Sequence, residues 1–286
     1  MVIRRVLLDA FGTVFSPREP VFQQYTNAAR SLGLHVEEDA VKNGFKRGTF
    51  PFKQWAQSHP LYGKLSSPPL EAEEWWSNVI ADTFRYAGVA TSAFEPVRAQ
   101  LCRSLVRRFW GKEGYELHWD CVPFLRALHG LPSPAGTHRR FPAPGIASNT
   151  DPAVSKILHS LGVLAGQTDP PDAGIRAEEI WTTWAIEEDK KDVRFWQEVL
   201  RRMRQTSGEA DLQAEEVLVV GDELVSDYET PRRAGFRTLL LRRDLAGGEH
   251  ARASYDDETD GLAQVDSVVT LLDVVEWIRR ENGSTV

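Results

Sequence analysis

The chain has 286 residues, of which 42% are hydrophobic and 26% are charged, as is typical of a soluble globular protein with one large or two smaller domains. The formal net charge is −7 and no lysine- and arginine-rich stripe is interleaved with aromatic residues, which argues against nucleic acid or membrane partners. The two cysteines, Cys102 and Cys121, lack metal-ligand spacing and are too few for a disulfide framework. The first predicted strand begins almost at Met1, so we expect no signal peptide and predict a cytoplasmic protein, with the nucleus left open.

Short apolar runs predict five buried parallel strands. These runs are Ile3–Asp9, Gly145–Asn149, Ile180–Trp184, Val217–Asp222 and Arg237–Arg242. Helices are predicted between and after them, at Val154–Leu161, Val193–Met203, Tyr228–Ala234 and Leu271–Arg280. Strands that alternate with helices predict an α/β fold built on a doubly wound, mostly parallel sheet.

The long segment between the first two strands has the pattern of helices only. The predicted helices are Val21–Leu32, Glu38–Arg47, Glu71–Ala87 and Glu95–Phe109. Such a segment is too long for a crossover, so it predicts a small all-helical domain at 16–108 inserted into an α/β core of 1–15 and 109–286. Its tryptophans, at Trp55, Trp75 and Trp76, are interpreted as core residues. Pro- and Gly-rich composition predicts surface loops at Leu131–Gly145, Gly166–Gly174 and Ala246–Gly261.

Four polar stretches lie at strand ends or open a helix. They are Asp9-Ala10-Phe11-Gly12-Thr13, Ser148-Asn149-Thr150-Asp151, Lys190-Lys191-Asp192, and Gly221-Asp222-Glu223 followed by Asp227. Each alone has an ordinary interpretation as a turn, a helix cap or a solvated loop. If the strands are parallel, however, their carboxyl ends share one crevice. Several acids around one lysine and one hydroxyl group then predict a nucleophile, a hard divalent cation and a bound anion.

In this order the four stretches resemble the four motifs of the haloacid dehalogenase-like (HAD) hydrolase superfamily, and the helical segment resembles that family's helical cap. The similarity runs from Val6 to about Leu272. It extends to the branch called haloacid dehalogenase-like hydrolase domain-containing protein 3. That branch has counterparts of Gly33-Leu34-His35-Val36-Glu37, Trp75-Trp76, Tyr86-Ala87-Gly88-Val89 and Gly221-Asp222…Asp227-Tyr228…Pro231-Arg232. The resemblance implies a HAD-like, Rossmann-like core with a cap inserted after the first strand.

The resemblance also implies residue roles. Asp9 would be the nucleophile that forms an aspartyl-phosphate, and Lys190 would neutralise the transferring group and orient Asp9. Lys190 is preferred to Lys191 because Lys-x-Asp-x-Arg-Phe-Trp matches the family pattern from Lys190. The transferring group would be held by Thr13, Ser148 and Asn149. A Mg²⁺ ion would bind Asp9, the backbone carbonyl of Phe11 and Asp222, with Asp227 in support.

Phe11 departs from the pattern of HAD phosphatases, which have a second aspartate there as the general acid and base. Three hypotheses follow. The first is a slow or specialised Mg²⁺-dependent phosphohydrolase that acts on a small phosphorylated substrate. The second is a pseudoenzyme that binds a phospholigand or a protein. The third is a 2-haloacid dehalogenase, since those enzymes tolerate an aromatic residue there, but they lack the acids at Asp222 and Asp227. Lys46 is a weak counterpart of the arginine that binds the substrate carboxylate in dehalogenases, and a solvated helix residue is the preferred interpretation.

Overall fold

A six-stranded parallel sheet forms the centre of the α/β part of the molecule. The computed structural model describes residues 2–49, 61–133, 140–243 and 265–283. Six of the strands in the described residues form this sheet: β1 (Arg5–Leu8), β4 (Gly145–Ser148), β5 (Ile180–Thr182), β6 (Val217–Gly221), β7 (Arg237–Leu241) and β8 (Ser267–Val268). The short strands β2 (Phe15–Pro17) and β3 (Tyr115–Leu117) belong to a separate two-stranded sheet. The large sheet has the order β5-β4-β1-β6-β7-β8, and every neighbouring pair is parallel. The predicted α/β fold with a mostly parallel sheet is therefore confirmed.

Strand β1 occupies the switch point of the sheet. Leu7 pairs with Gly145 of β4 on one side and with Val219 of β6 on the other, and the chain then winds outward in both directions. All four residues of β1 are buried, which explains its continuous apolar run after Arg5. In open α/β sheets the crevice at the carboxyl ends of the strands, at such a switch point, is where ligands bind.

The helices follow the predicted alternation. They are α1 (Val21–Ser31), α2 (Glu38–Thr49), α3 (Ala72–Tyr86), α4 (Thr91–Phe109), α5 (Cys121–His129), α6 (Ala153–Ser160), α7 (Thr183–Ile186), α8 (Val193–Ser207), α9 (Thr230–Arg233) and α10 (Leu271–Gly283). Helix α8 begins where the Asp192 carboxylate accepts the Arg194 N–H at 2.9 Å, and it ends at Gly208, whose φ of +72° an L-residue rarely adopts. Among the described residues, no helix is long and apolar enough to cross a membrane.

The described chain divides into two compact units. The α/β unit comprises 1–16, 117–149 and 162–286, and the helical unit comprises 17–116 and 150–161. Part of the α/β core packs around Phe195, Trp196 and Val219, all buried. The helical unit packs around Tyr25 and Phe84, with Trp75 also buried. Helix α6 thus groups with the helical unit, whereas the predicted division at 15/16 and 108/109 assigned it to the α/β core.

Some predicted elements differ from the structure. Strand β5 ends at Thr182 rather than Trp184, because the Thr182 hydroxyl accepts the Ala185 N–H and starts α7. The predicted helix at Tyr228–Ala234 is instead a π-helix at Leu224–Glu229 followed by α9. Pro231 explains this break, since its ring has no N–H to donate and would crowd the carbonyl four residues earlier in a continuous α-helix. The predicted loop at 246–261 and Trp55 fall outside the described residues, as do residues 134–139 of the predicted loop Leu131–Gly145.

Candidate functional site

The carboxyl end of the sheet brings the predicted acids of the α/β unit together. Asp9 directly follows β1, and its N–H donates to the Val220 carbonyl of β6 at 2.9 Å. Asp222 directly follows β6. Within the described residues, carboxylate oxygens of Asp9, Asp222 and Asp227 all lie within 4.8 Å of one another. The first and fourth polar stretches therefore form one site.

Lys190 is buried between two of these acids. Its Nζ lies 2.5 Å from Asp9 Oδ1 and 2.5 Å from Asp227 Oδ1, and its side chain is only 1% exposed. The Trp196 indole N–H donates to the Lys190 carbonyl at 2.9 Å, which fixes the backbone that carries the lysine. Lys191 is exposed. The structure thus places Lys190, and not its neighbour, against the predicted nucleophile.

Asp227 projects from the π-helix that follows β6. Its Oδ2 accepts the Glu223 N–H at 2.9 Å, while Oδ1 faces Lys190. The Glu223 carboxylate in turn accepts the Ser226 hydroxyl at 2.5 Å. π-helical turns are rare and are frequently found at functional sites. Here the π-helix carries a buried carboxylate.

A tight turn after Asp9 contacts Asp222. The Thr13 hydroxyl donates to Asp222 Oδ1 at 3.2 Å. Gly12 has a φ of +76°, and a Cβ added to it would collide with the Asp222 carboxylate. Glycine is therefore required here both for the backbone conformation and for the close approach of this carboxylate.

Burial and the crowding of negative charge raise the pKa values of two acids in the site, Asp9 and Asp222. Burial, opposed by Lys190 and reinforced by Asp227, raises the pKa of Asp9 to about 7. Burial together with repulsion from Asp9, Asp227 and Glu223 raises the pKa of Asp222 to about 8. Burial opposes the charge on Lys190, but the two facing carboxylates outweigh it and raise the pKa of the ammonium. The protein thus holds more negative charge here than one lysine stabilises.

The donor set fits a hard divalent cation. Carboxylate oxygens are the ligands that Mg²⁺ prefers, and a cation beside Asp9 and Asp222 would offset the burial and the repulsion that raise both pKa values. The lack of a Cβ at Gly12 leaves room for the Asp222 carboxylate at this edge of the cluster. We therefore consider the site suited to a metal, with Asp9 and Asp222 as ligands.

Of the remaining predicted residues, Ser148 and Asn149 lie at the carboxyl end of β4, whereas the roles of Phe11 and Lys46 stay predictions. Ser148 is the buried last residue of β4, and the next residue, Asn149, accepts the Thr183 hydroxyl on its Oδ1 at 3.0 Å. Phe11 packs its ring edge-on against Phe15 at 4.8 Å between centroids, and the ligand role of its carbonyl stays a prediction. Lys46 lies exposed near the end of α2 in the helical unit, and its role also stays a prediction.

Three contributors to the site were missed or undervalued from the sequence. Thr183 orients Asn149, Trp196 fixes the backbone of Lys190, and Arg243 contacts the turn after Asp9 through the carbonyls of Gly12 and Thr13. Only Trp196 had a signal, as the last residue of the Lys-x-Asp-x-Arg-Phe-Trp pattern. The others act across large separations in sequence.

Comparison with known proteins finds similarity to HAD hydrolases. A family model described as HAD-hydrolase-like matches residues 191–270. The haloacid dehalogenase-like hydrolase domain-containing protein 3 of Danio rerio is 28% identical over 84% of this chain and 86% of its own length. The defluorinating L-2-haloacid dehalogenase Rha0230 has a TM-score of 0.59 at 20% identity, covering 97% of this chain and 95% of its own. The magnesium-bound HAD-hydrolase YfnB of Bacillus subtilis has a TM-score of 0.57 at 14% identity, covering 97% and 99%.

The four stretches at the carboxyl end of the parallel sheet and these matches make the chain similar to hydrolases of the HAD superfamily, and the solved structures share its fold. Within it, the chain is similar to the branch of haloacid dehalogenase-like hydrolase domain-containing protein 3, which Homo sapiens also has, at 27% identity over 84% of this chain and 82% of the relative.

Proposed function

We propose that the protein is a Mg²⁺-dependent phosphohydrolase in which Asp9 is the nucleophile. The observation that carries this proposal is the contact of Asp9 with buried Lys190 beside the acids Asp222 and Asp227. Mg²⁺ held by Asp9 and Asp222 would supply positive charge that lets an anionic phosphate approach a carboxylate. The relationship to YfnB, a HAD-hydrolase bound to magnesium, supports the choice of ion.

The chain's own residues then divide the work. Asp9 attacks phosphorus through one carboxylate oxygen, and the bond to the leaving oxygen breaks with its electrons on the leaving group. Water next attacks phosphorus, the P–O bond to Asp9 breaks with its electrons on the carboxylate, and inorganic phosphate leaves with the proton of the water, which regenerates Asp9. Lys190 holds the Asp9 carboxylate in place and offsets its charge throughout. Ser148 and the amide of Asn149 donate hydrogen bonds to the phosphoryl oxygens, and Thr13 joins them if its hydroxyl proton turns away from Asp222.

Phe11 restricts the substrates that this chemistry accepts. A phenylalanine cannot protonate a leaving oxygen, and a positioned general acid contributes about 10²–10⁴-fold to the rate. Substrates whose leaving group departs as a stable anion, such as aryl and acyl phosphates, lose least from its absence. We therefore propose that these are the preferred small phosphorylated substrates.

A panel of phosphate esters with graded leaving-group pKa tests this function. We expect Mg²⁺-dependent turnover of aryl phosphates and very little turnover of alkyl phosphates, with loss of both in Asp9→Asn. Phe11→Asp should raise alkyl phosphate turnover by up to about 10²–10⁴-fold, whereas Phe11→Asn, which introduces a side chain of the same shape without the acid, should not. If wild type and Asp9→Asn were indistinguishable on aryl phosphates, the proposal would be wrong.

The replacement of the general acid by Phe11 also favours a second candidate, a pseudoenzyme that retains phospholigand binding. In that case inorganic phosphate would bind in the presence of Mg²⁺ with no turnover of any ester. A 2-haloacid dehalogenase is the third candidate, and turnover of 2-haloacids in the presence of a chelator would support it. The acids at Asp222 and Asp227 argue against this third function, because that reaction needs no metal.

A further inference from the structure

Arg243 ties three separate segments of the α/β unit together. It lies two residues beyond β7, and its Nε and Nη2 donate to the carbonyls of Gly12 and Thr13 at 3.2 and 2.8 Å. Its Nη1 and Nη2 also form a bidentate pair with the carboxylate of fully buried Asp120, at 2.9 and 3.0 Å. Asp120 in addition accepts the N–H of Leu271, the first residue of α10, at 2.8 Å. Through Asp120, which directly precedes α5 and contacts the start of α10, one guanidinium thus connects the turn after Asp9 to both helices.

The turn that Arg243 contacts is the one that meets Asp222. On one side of this turn the Gly12 and Thr13 carbonyls accept the guanidinium, and the Thr13 hydroxyl contacts Asp222. The turn is closed internally by the Val14 N–H, which donates to the Ala10 carbonyl at 2.9 Å. Because each peptide unit is planar, fixing two successive carbonyls fixes the orientation of Thr13 between them.

We propose that Arg243, held by Asp120, is a positioning residue that sets the geometry of Gly12 and Thr13 against Asp222, and hence of the metal-binding edge of the site. The inference rests on the proposed function in assigning Asp222 to the metal. Arg243 does not contact Asp9 or Asp222 through any hydrogen bond seen among the described residues. Its action is therefore indirect, through the backbone of the turn.

The chemistry of the site explains why the residue is an arginine. A planar guanidinium can donate to two carbonyls and one carboxylate at once, whereas an ammonium is a point charge that cannot span the three acceptors with the same geometry. The neighbouring His118 cannot supply the charge. Burial, together with Arg243, lowers the pKa of His118 to about 4, and its Nε2 lies 2.9 Å from the Ser16 hydroxyl.

Arg243→Lys tests the inference because it keeps a cation beside Asp120. We expect faster hydrogen exchange of the peptide at residues 10–16 in the metal-free protein, together with a loss of about 10- to 100-fold in Mg²⁺ affinity, as for residues that orient metal ligands. The kcat for an aryl phosphate should fall while KM changes little, since substrate groups are not contacted. Arg237→Lys is the matched control, because Arg237 begins the strand that leads to Arg243 and pairs with the half-exposed Glu281, away from the turn after Asp9.

Asp120→Asn separates positioning from helix capping. If Asp120 acts through Arg243, this variant also accelerates exchange at 10–16, although Asp120 itself does not contact Gly12 or Thr13. Acceleration confined to residues near Leu271 would mean that Asp120 only caps α10, and would overturn the inference. The inference is equally overturned if Arg243→Lys matches Arg237→Lys in exchange and Mg²⁺ affinity.

Two further outcomes, a variant that does not fold and a protein that is not a phosphatase, can be told apart from failure of the inference. Should Arg243→Lys not fold, the exchange pattern of Asp120→Asn alone supports or overturns the inference. Exchange and Mg²⁺ binding need no turnover, so failure of the phosphatase proposal gives a different pattern, namely an inactive wild type with these two effects intact.

Discussion

The two ends of strand β1 carry two buried clusters of charge that differ in composition. At its start, Arg5 lies 2.7 Å from Glu209 and 3.5 Å from Glu179, and Arg176 lies 3.2 Å from Glu179. At its end, one lysine faces two acids, and a third acid lies beside them. In the first cluster burial raises the pKa of Glu179, but the guanidinium groups of Arg5 and Arg176 oppose the rise. In the second cluster burial and the neighbouring carboxylates raise the pKa of Asp9 to about 7 and that of Asp222 to about 8, against one lysine. The first cluster is matched within the chain, and the second is suited to a ligand that brings positive charge.

Removal of the central cation at each end gives the largest expected effect. Lys190→Met and Arg5→Met each leave buried acids without their partner, and each should cost about 3–5 kcal/mol in the free energy of unfolding. Mg²⁺ should restore part of the loss for Lys190→Met, because a cation that binds only the folded state stabilises it. Wild type and Arg5→Met both keep the acids of the site and should gain equally from Mg²⁺, so the deficit of Arg5→Met relative to wild type should not change. Urea unfolding of all three proteins with and without Mg²⁺ measures both deficits, and an equal change in the two would contradict the comparison.

Neutralising one acid at each end of β1 should change the free energy of unfolding in opposite directions. Asp222→Asn removes a carboxylate whose pKa is raised in the folded state, so the metal-free protein should gain at least about 1.4 kcal/mol, the equivalent of one pKa unit, at pH 7. It should also lose Mg²⁺ binding by calorimetry. Glu209→Gln takes a partner from Arg5 and should lose about 1–3 kcal/mol. A destabilised Asp222→Asn with unchanged Mg²⁺ affinity would refute the assignment of Asp222.

The pH dependence of stability tests the excess charge directly. Folded-state pKa values of about 7 for Asp9 and about 8 for Asp222 lie above the unfolded value of 3.8, so the folded state binds more protons between about pH 4 and 8. Stability of the metal-free protein should therefore fall as pH rises through this range. The lowered pKa of His118 acts in the opposite direction between about pH 4 and 6.5, which leaves pH 6.5–8 as the clearest window.

In that window we expect a loss of about 2 kcal/mol, measured as thermal unfolding across a pH series. Saturating Mg²⁺ should flatten the slope, because the bound cation keeps both carboxylates ionised in the folded state. A slope that is the same with and without Mg²⁺ would show that the acids do not bind the ion.

The smallest effect is expected at the solvent-facing edge of the first cluster. Asp211 contacts Arg4 at 2.9 Å, but its side chain is 76% exposed, and exposed ion pairs contribute little. Asp211→Asn should leave both the urea midpoint and the Mg²⁺ affinity unchanged. A measurable drop in either would mean that the arginine cluster depends on its outermost acid.

The sequence predicted the central strands well because burial on both faces leaves a recognisable apolar run, as in Val217–Gly221. It could not predict β8, which has only two residues and too short a pattern. In the same way, the charges around Lys190 resemble a solvated loop locally, and only tertiary packing buries that one lysine. The role of Arg243 depends on carbonyls of Gly12 and Thr13, which are backbone groups and leave no mark in the sequence.

The π-helix at Leu224–Glu229 makes the site sensitive to the length of the chain there. A π-turn contains one more residue than the α-turn it replaces, and each residue of an α-helix rotates the chain by about 100°. Deletion of one residue between Leu224 and Ser226 would restore α-helical spacing and turn the Asp227 carboxylate away from Lys190, although every side chain of the site would still be present. In engineering or in evolution, this segment should therefore tolerate substitution at half-buried Val225 far better than any change in its residue count.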